Sequence, residues 1–174
     1  DEAERERLWA GRKLAIGALG QIQPNYYLLD GVVPRTKLTE VLDQVYAIAG
    51  RYDLPVANVF HAGDGNLHPC LLFDEREPGV IARVLDAGGE IMRVCVDAGG
   101  AISGEHGIGL EKRSYLPWIF TDDDMDAMQR LRLAFGATDD FNPCKIFPTG
   151  HGCGEGRAGH QQPQIAKFGK DAYV

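Results

Sequence analysis

Two histidines set the first chemical possibility in this chain. His61 and His68 bracket the insert Ala62-Gly63-Asp64-Gly65-Asn66-Leu67. Neutral imidazole is the commonest side-chain metal ligand and, near neutral pH, a ready proton acceptor. Further along, Gly99-Gly100-Ala101-Ile102-Ser103-Gly104-Glu105-His106-Gly107-Ile108-Gly109 places a carboxylate and a third imidazole side by side among glycines. Two histidines and one carboxylate with an open position form a donor set used by catalytic zinc and by iron. Glu105 completes that set with His61 and His68, and His106 beside it is a candidate base. Two histidines at a hairpin end, or two polar residues in a glycine bend, are each more simply surface groups. It is their combination that points to metal-and-base chemistry.

The flanking residues say what must hold them. Val56-Ala57-Asn58-Val59-Phe60 and Pro69-Cys70-Leu71-Leu72-Phe73 read as strands, and Gly63-Asp64-Gly65-Asn66 as a tight turn. The histidines are then expected to face each other across the mouth of a β-hairpin, with Cβ atoms about 5 Å apart. Glu105 and His106 would point to opposite faces of a regular strand, so both serve one site only if the chain bends, which Gly104 and Gly107 allow. Residues 26–34 read as a strand. Residues 36–52 carry Leu38, Val41, Leu42, Val45, Ile48 and Ala49 at helical spacing, with Thr36 or Thr39 as cap. Pro78 opens a second long helix running to 98, closed by Gly99-Gly100, and a short strand is expected at 100–103. The order β-α-β-β-α-β predicts an α+β fold, a ferredoxin-like antiparallel sheet with both helices on one face. That topology brings the end of the second strand, the start of the third and the start of the fourth to one edge.

Outside this core, residues 2–15 read as a charged amphipathic helix. Residues 115–135 read as one or two further helices, with Asp122, Asp123 and Asp124 at an N-terminus. The Gly- and Gln-rich residues 149–174 are expected to form a flexible tail after a domain spanning 1–148. His151, Cys153 and His160 in that tail fit no standard zinc spacing.

Composition narrows the function classes. The chain has 174 residues, 44% hydrophobic and 25% charged, enough for one soluble domain with a sizeable core. A net charge of −7 argues against a nucleic-acid partner. No apolar run approaches the roughly 20 residues of a membrane-spanning helix, and Asp1-Glu2-Ala3-Glu4-Arg5-Glu6-Arg7 lacks the apolar core of a signal peptide. Cys70, Cys95, Cys144 and Cys153 show no Cys-x-x-Cys spacing, which predicts free thiols in a reducing compartment. A start without Met, inside a helix-like pattern, predicts a piece of a longer protein.

These segments carry a resemblance. Asn58-Val59-Phe60-His61-Ala62-Gly63-Asp64-Gly65-Asn66-Leu67-His68-Pro69 resembles the signature of the FAD-linked oxidases of the vanillyl-alcohol oxidase type, and most closely their glycolate oxidase flavoprotein branch. Ile102-Ser103-Gly104-Glu105-His106-Gly107-Ile108-Gly109-Leu110-Glu111-Lys112-Arg113 is similar to the second signature of that family. Phe141-Asn142-Pro143-Cys144-Lys145-Ile146-Phe147-Pro148 resembles its C-terminal Asn-Pro-Gly-Lys motif, with Cys144 in place of the glycine. Leu8-Trp9-Ala10-Gly11-Arg12-Lys13 also matches. The resemblance runs in order from about residue 8 to residue 148.

The resemblance implies oxidation of a D-2-hydroxy acid, glycolate or D-lactate, by hydride transfer to FAD. It implies a divalent metal (zinc, iron or manganese) on His61, His68 and Glu105, with His106 as base. Asn66 would donate to substrate, Arg12 would clamp the substrate carboxylate, and Asn142 and Lys145 would lie near the flavin. The implied partners are an FAD-binding domain of the full-length protein, a small 2-hydroxy acid and further glycolate oxidase subunits. The implied location is cytoplasmic, or peripheral at the membrane through those subunits. On this reading the chain alone neither holds FAD tightly nor turns over. The competing class is a non-catalytic ferredoxin-like module that binds a metal or small acid through the same residues.

Overall fold

A computed structural model describes residues 1–135, 142 and 145–148, together with the backbone of 166–167. The core is an antiparallel sheet with two helices on one face. Helices α2 (Leu38–Arg51) and α3 (Val80–Asp97) supply Val41, Val45, Ile48 and Ala49, and Val80, Val84, Ala87, Ile91, Met92 and Cys95, to one buried cluster. Apolar stripes at helical spacing form only where such a face can be covered, and here each helix covers the sheet beside the other.

The strands are β1 (Asn25–Leu28), β2 (Gly31–Val32), β3 (Val56–His61) and β4 (Asn66–Phe73). β4 is central, with β3 on one side and β1 and β2 on the other. The register is continuous across both pieces: Leu28 pairs with Cys70, and Gly31 with Leu67. β1 and β2 are therefore one strand interrupted at Leu29–Asp30, where an unbroken strand is expected from the apolar run. The expected fourth strand contracts to one bridge, Val32 to Ala101, made by two backbone hydrogen bonds. The spatial order, with the Ala101 bridge beside β1 and β2, is that of the β-α-β-β-α-β arrangement, and the α+β class holds.

Several boundaries differ from expectation. A 3₁₀ turn at Arg35–Lys37 precedes α2, whose N-cap is Lys37, so neither Thr36 nor Thr39 caps it. The α3 N-cap is Gly79 at φ 79° rather than a proline start. Helix α1 (Glu2–Ala18) runs past Gly17, yet buries no residue. Residues 115–135, expected to hold one or two helices, contain most of a 3₁₀ segment (Arg113–Trp118) and one α-helix, α4 (Asp122–Ala134). Thr121 and Asp124 form a capping box at the acidic α4 start. Ala166–Lys167 form a short strand, β5, against Asn25 and Tyr26. His151, Cys153 and His160 lie outside the described residues. Cys70 and Cys95 are free and buried, while Cys144 and Cys153 also lie outside.

All eight residues of β4 are buried, and successive side chains alternate between faces. Leu67, Leu71 and Phe73 join the core under the helices. Cys70 and Leu72 join a second, smaller cluster on the other face with Leu19, Tyr26, Leu28 and Ala57. Asn66 and His68 share that second face.

Candidate functional site

The hairpin turn occupies residues 62–65, not 63–66, because Asn66 is already paired in β4. His61 pairs with Asn66, and His68 with Val59. The histidines are thus diagonal neighbours on one face rather than directly opposite, with ring centroids 5.4 Å apart at an angle of 84°. Gly65 permits this turn. Its φ is 74°, and a Cβ there would stand 2.1 Å from the Val33 carbonyl oxygen. That proximity follows from the Val33 amide donating to the Gly65 carbonyl at 2.9 Å, which ties the turn to the end of β2.

The bridge at Ala101 sets the other half. Val32 pairs with Asn66 on one side and Ala101 on the other, so His61, Asn66, Val32 and Ala101 form one row across the sheet. The chain leaving Ala101 passes over the row's second face. There Gly104 lies against Asn66, and a Cβ at 104 would be 2.6 Å from its side-chain atoms. Gly104 is needed for this close approach. The positive φ, 79°, is at Gly107.

This path delivers Glu105 to both histidines. Its Oε1 lies 2.9 Å from His68 Nε2 and 3.6 Å from His61 Nε2. One donor atom from each of the three residues lies within 4.8 Å of the others. His106 stacks on His68, with centroids 5.2 Å apart and 15° between planes, and its Nε2 is 4.0 Å from Glu105 Oε1. His68 is buried, whereas His61, Glu105 and His106 are partly exposed, so the cluster has a dry side and a wet side.

The orientation of His68 has a specific cause. Leu29 donates its amide to the Pro69 carbonyl at 3.0 Å, the geometry of a hydrogen-bonded antiparallel pair. Pro69 has no N–H to return. The Leu29 carbonyl is left without its ladder donor, and His68 Nδ1 sits 3.1 Å from it. A proton on Nδ1 satisfies that carbonyl and leaves the Nε2 lone pair facing Glu105. This is the hydrogen-bonding pattern that orients metal-bound histidines. The Asn66 side chain is buried too, and its Oδ1 has no partner among the described residues. Two imidazole nitrogens and one carboxylate within 4.8 Å of one another fit a divalent ion with a further position open.

Two residues that the sequence reading did not single out support the loop. Asp30 is fully buried at the break between β1 and β2. Its carboxylate accepts from the Ser103 hydroxyl at 2.8 Å, and from the amides of Gly104, Glu105 and His106 at 3.0, 3.2 and 2.9 Å. Lys112, also buried, donates to the Asp30 carboxylate at 3.2 Å and to its carbonyl at 2.8 Å. Burial alone would raise the Asp30 pKa. The His106 amide, Ser103, Lys112 and the Glu105 amide outweigh it and hold the carboxyl well below the usual range. Burial pulls the Lys112 ammonium below its ordinary value, against the opposing pull of Asp30. An acid inside the apolar stretch 26–33 was the available signal.

The remaining expected residues lie apart. Arg12 is on the exposed face of α1, its guanidinium 5.9 Å from the Trp9 ring centroid, and it makes no hydrogen bond or ion pair to the cluster. No residue of α1 is buried. Asn142 and Lys145 contact each other, Nζ to Oδ1 at 2.9 Å, and Arg132 donates to both of their carbonyls. Their segment joins the cluster loop one step away, where the Ile146 amide donates to the Gly109 carbonyl at 2.7 Å. Cys144 between them lies outside the described residues.

Comparison with known proteins places the chain in a family. The family of FAD linked oxidases, C-terminal domain, matches residues 1–146. The chain is 50% identical over 174 residues to the glycolate oxidase subunit GlcD of Escherichia coli K12, covering 97% of this chain and 35% of that protein. It is 37% identical over 146 residues to the protein of the same name in Bacillus subtilis, covering 84% of this chain and 31% of the relative. A mitochondrial D-lactate dehydrogenase [cytochrome] of Kluyveromyces lactis is 29% identical over 153 residues, covering 84% of this chain and 26% of the relative. The chain spans between about a quarter and a third of the length of these relatives.

Proposed function

Because the chain belongs to the FAD linked oxidases, as their C-terminal domain, we propose that it forms the substrate side of a flavin-dependent oxidoreductase acting on a D-2-hydroxy acid, glycolate or D-lactate. The observation that carries this reading is the convergence of His61, His68 and Glu105, with His106 stacked beside them, on the sheet face opposite the helices. The names of the relatives support the substrate class.

His61, His68 and Glu105 would hold a divalent cation, zinc, iron or manganese. When bound it supplies Lewis acidity toward the substrate carboxylate and hydroxyl. FAD, held by another domain of the full-length protein, supplies the hydride-accepting chemistry. The rest falls to this chain. His106 accepts the substrate hydroxyl proton at a ring nitrogen, held in plane by its stack on His68. Asn66 meets a substrate oxygen with its buried side-chain amide. Asn142 and Lys145 sit toward the flavin. The FAD-binding domain packs on the sheet face that carries the cluster. Arg12 reaches the substrate carboxylate only in that assembly, where α1 gains a partner for its exposed Leu8, Trp9 and Leu14. Further oxidase subunits would bind outside this face. Among the described residues, no helix is long and apolar enough to cross a membrane.

Kinetics of the full-length protein against a panel of D-2-hydroxy acids tests the reading. His61→Ala or His68→Ala should lose metal and turnover together. His106→Ala should keep the metal and lose about 10²–10⁴-fold in rate. Absence of turnover with every acid of the panel would sink the oxidase reading in favour of a binding module.

A further inference from the structure

The Leu29–Asp30 break interrupts the strand beside β4, a place where an unbroken ladder would satisfy more backbone groups. What the break gains is position. It turns the Asp30 carboxylate inward, beneath residues 103–106, where it receives three successive amides, one hydroxyl and one ammonium. Burying an ion pair such as Asp30–Lys112 seldom repays its desolvation. An apolar pair of similar volume would hold α3 and the sheet as well. An anionic acceptor, by contrast, collects successive N–H groups more strongly than a neutral one and fixes the direction in which the adjoining side chains leave the backbone. Two of those amides belong to Glu105 and His106. The third is Gly104, which lies against Asn66. Ser103 extends the anchor by accepting from the Gly107 amide at 2.8 Å, so both ends of the bend are tied to the same carboxylate.

We propose that Asp30 is the positioning residue of the cluster: its buried carboxylate, charge-balanced by Lys112, holds the 103–106 backbone so that the Glu105 carboxylate meets His61 and His68. The proposal rests on the metal-site reading for its consequence but not for its geometry, and the test separates the two. Asp30→Asn keeps the shape and removes the charge. Ser103→Ala removes one donor and leaves the buried pair intact. Two measurements on the 174-residue chain read the outcome. Amide hydrogen exchange by NMR should show Gly104, Glu105 and His106 protected in the wild type. In Asp30→Asn their exchange should accelerate by about tenfold or more, the factor expected from losing a charge-assisted hydrogen bond, while β4 and α3 amides stay unchanged. Titration with Co²⁺, followed by its visible absorption, should show about 10–100-fold weaker binding in Asp30→Asn and a smaller loss in Ser103→Ala. Unchanged protection at 104–106, or unchanged Co²⁺ affinity beside wild-type binding, overturns the proposal. Accelerated exchange in a chain whose wild type takes up no Co²⁺ upholds the anchor and removes the metal. If Asp30→Asn fails to fold, Ser103→Ala decides by the same two measurements.

Discussion

Along β4, Leu67, Leu71 and Phe73 enter the core beneath α2 and α3, while Asn66, His68, Cys70 and Leu72 face the other way. Both sets are buried. Burial alone therefore does not tell a folding residue from a functional one on this strand. The difference lies in what does the covering. Two regular helices with apolar stripes seal the first face. The polar end of the second is covered by an irregular loop tied down by hydrogen bonds to Asp30. One face is held mainly by apolar contact area, with the Tyr27 hydroxyl satisfied by Glu111. The other is held by directed bonds and can keep an imidazole dry on one side and open on the other.

Truncation on the helix face tests that contrast with the largest effect. Leu71→Ala should cost about 2–5 kcal/mol in unfolding free energy, because the two-helix layer cannot collapse into the cavity. Urea denaturation of the purified chain reads this directly, and a loss below about 1 kcal/mol would mean that the helix layer is looser than its packing implies. On the second face, His61→Ala should change stability by no more than about 0.5 kcal/mol, the range of a surface substitution, while removing Co²⁺ binding altogether. A large stability loss there would make the hairpin histidines structural and erase the distinction. The smallest effect concerns thiols. Burial pushes Cys70 up to about 11 and Cys95 up to about 12, so both stay protonated at neutral pH on their respective faces. Iodoacetamide on the native chain, followed by peptide mass analysis, should leave both unmodified. Rapid labelling of Cys70 alone would show that the second face opens to solvent.

The periodic stripes of α2 and α3 are legible because helix burial repeats along the sequence. The hairpin and the Glu-His bend are legible because histidines and a carboxylate set among glycines are the residue types that a metal site would require. The interruption at Leu29–Asp30 is not. Tyr26 to Val33 reads as one apolar stretch, and its acid finds a reason only against Ser103 and Lys112. The direct facing of His61 and His68 fails for a related cause. Register depends on where the turn begins, and Asn66 belongs to the strand rather than to the turn. Arg12 is placed near substrate by resemblance, and the structure gives α1 no buried residue with which to hold it near the cluster.

A hairpin and its adjacent bend suggest a cluster assembled by local folding, but the anchor at Asp30 changes the order of events. Ser103 and Lys112 meet Asp30 across 73 and 82 positions of chain. Closing loops of that length is entropically costly, and contacts so distant in sequence form late in the folding of a small domain. The hairpin can bring His61 near His68 early, and Glu105 is expected to take its station only after the sheet, α3 and the buried ion pair have closed around it. Co²⁺ added during refolding would then be captured in the final phase, which makes the ion a clock for completion of the fold rather than a seed for it.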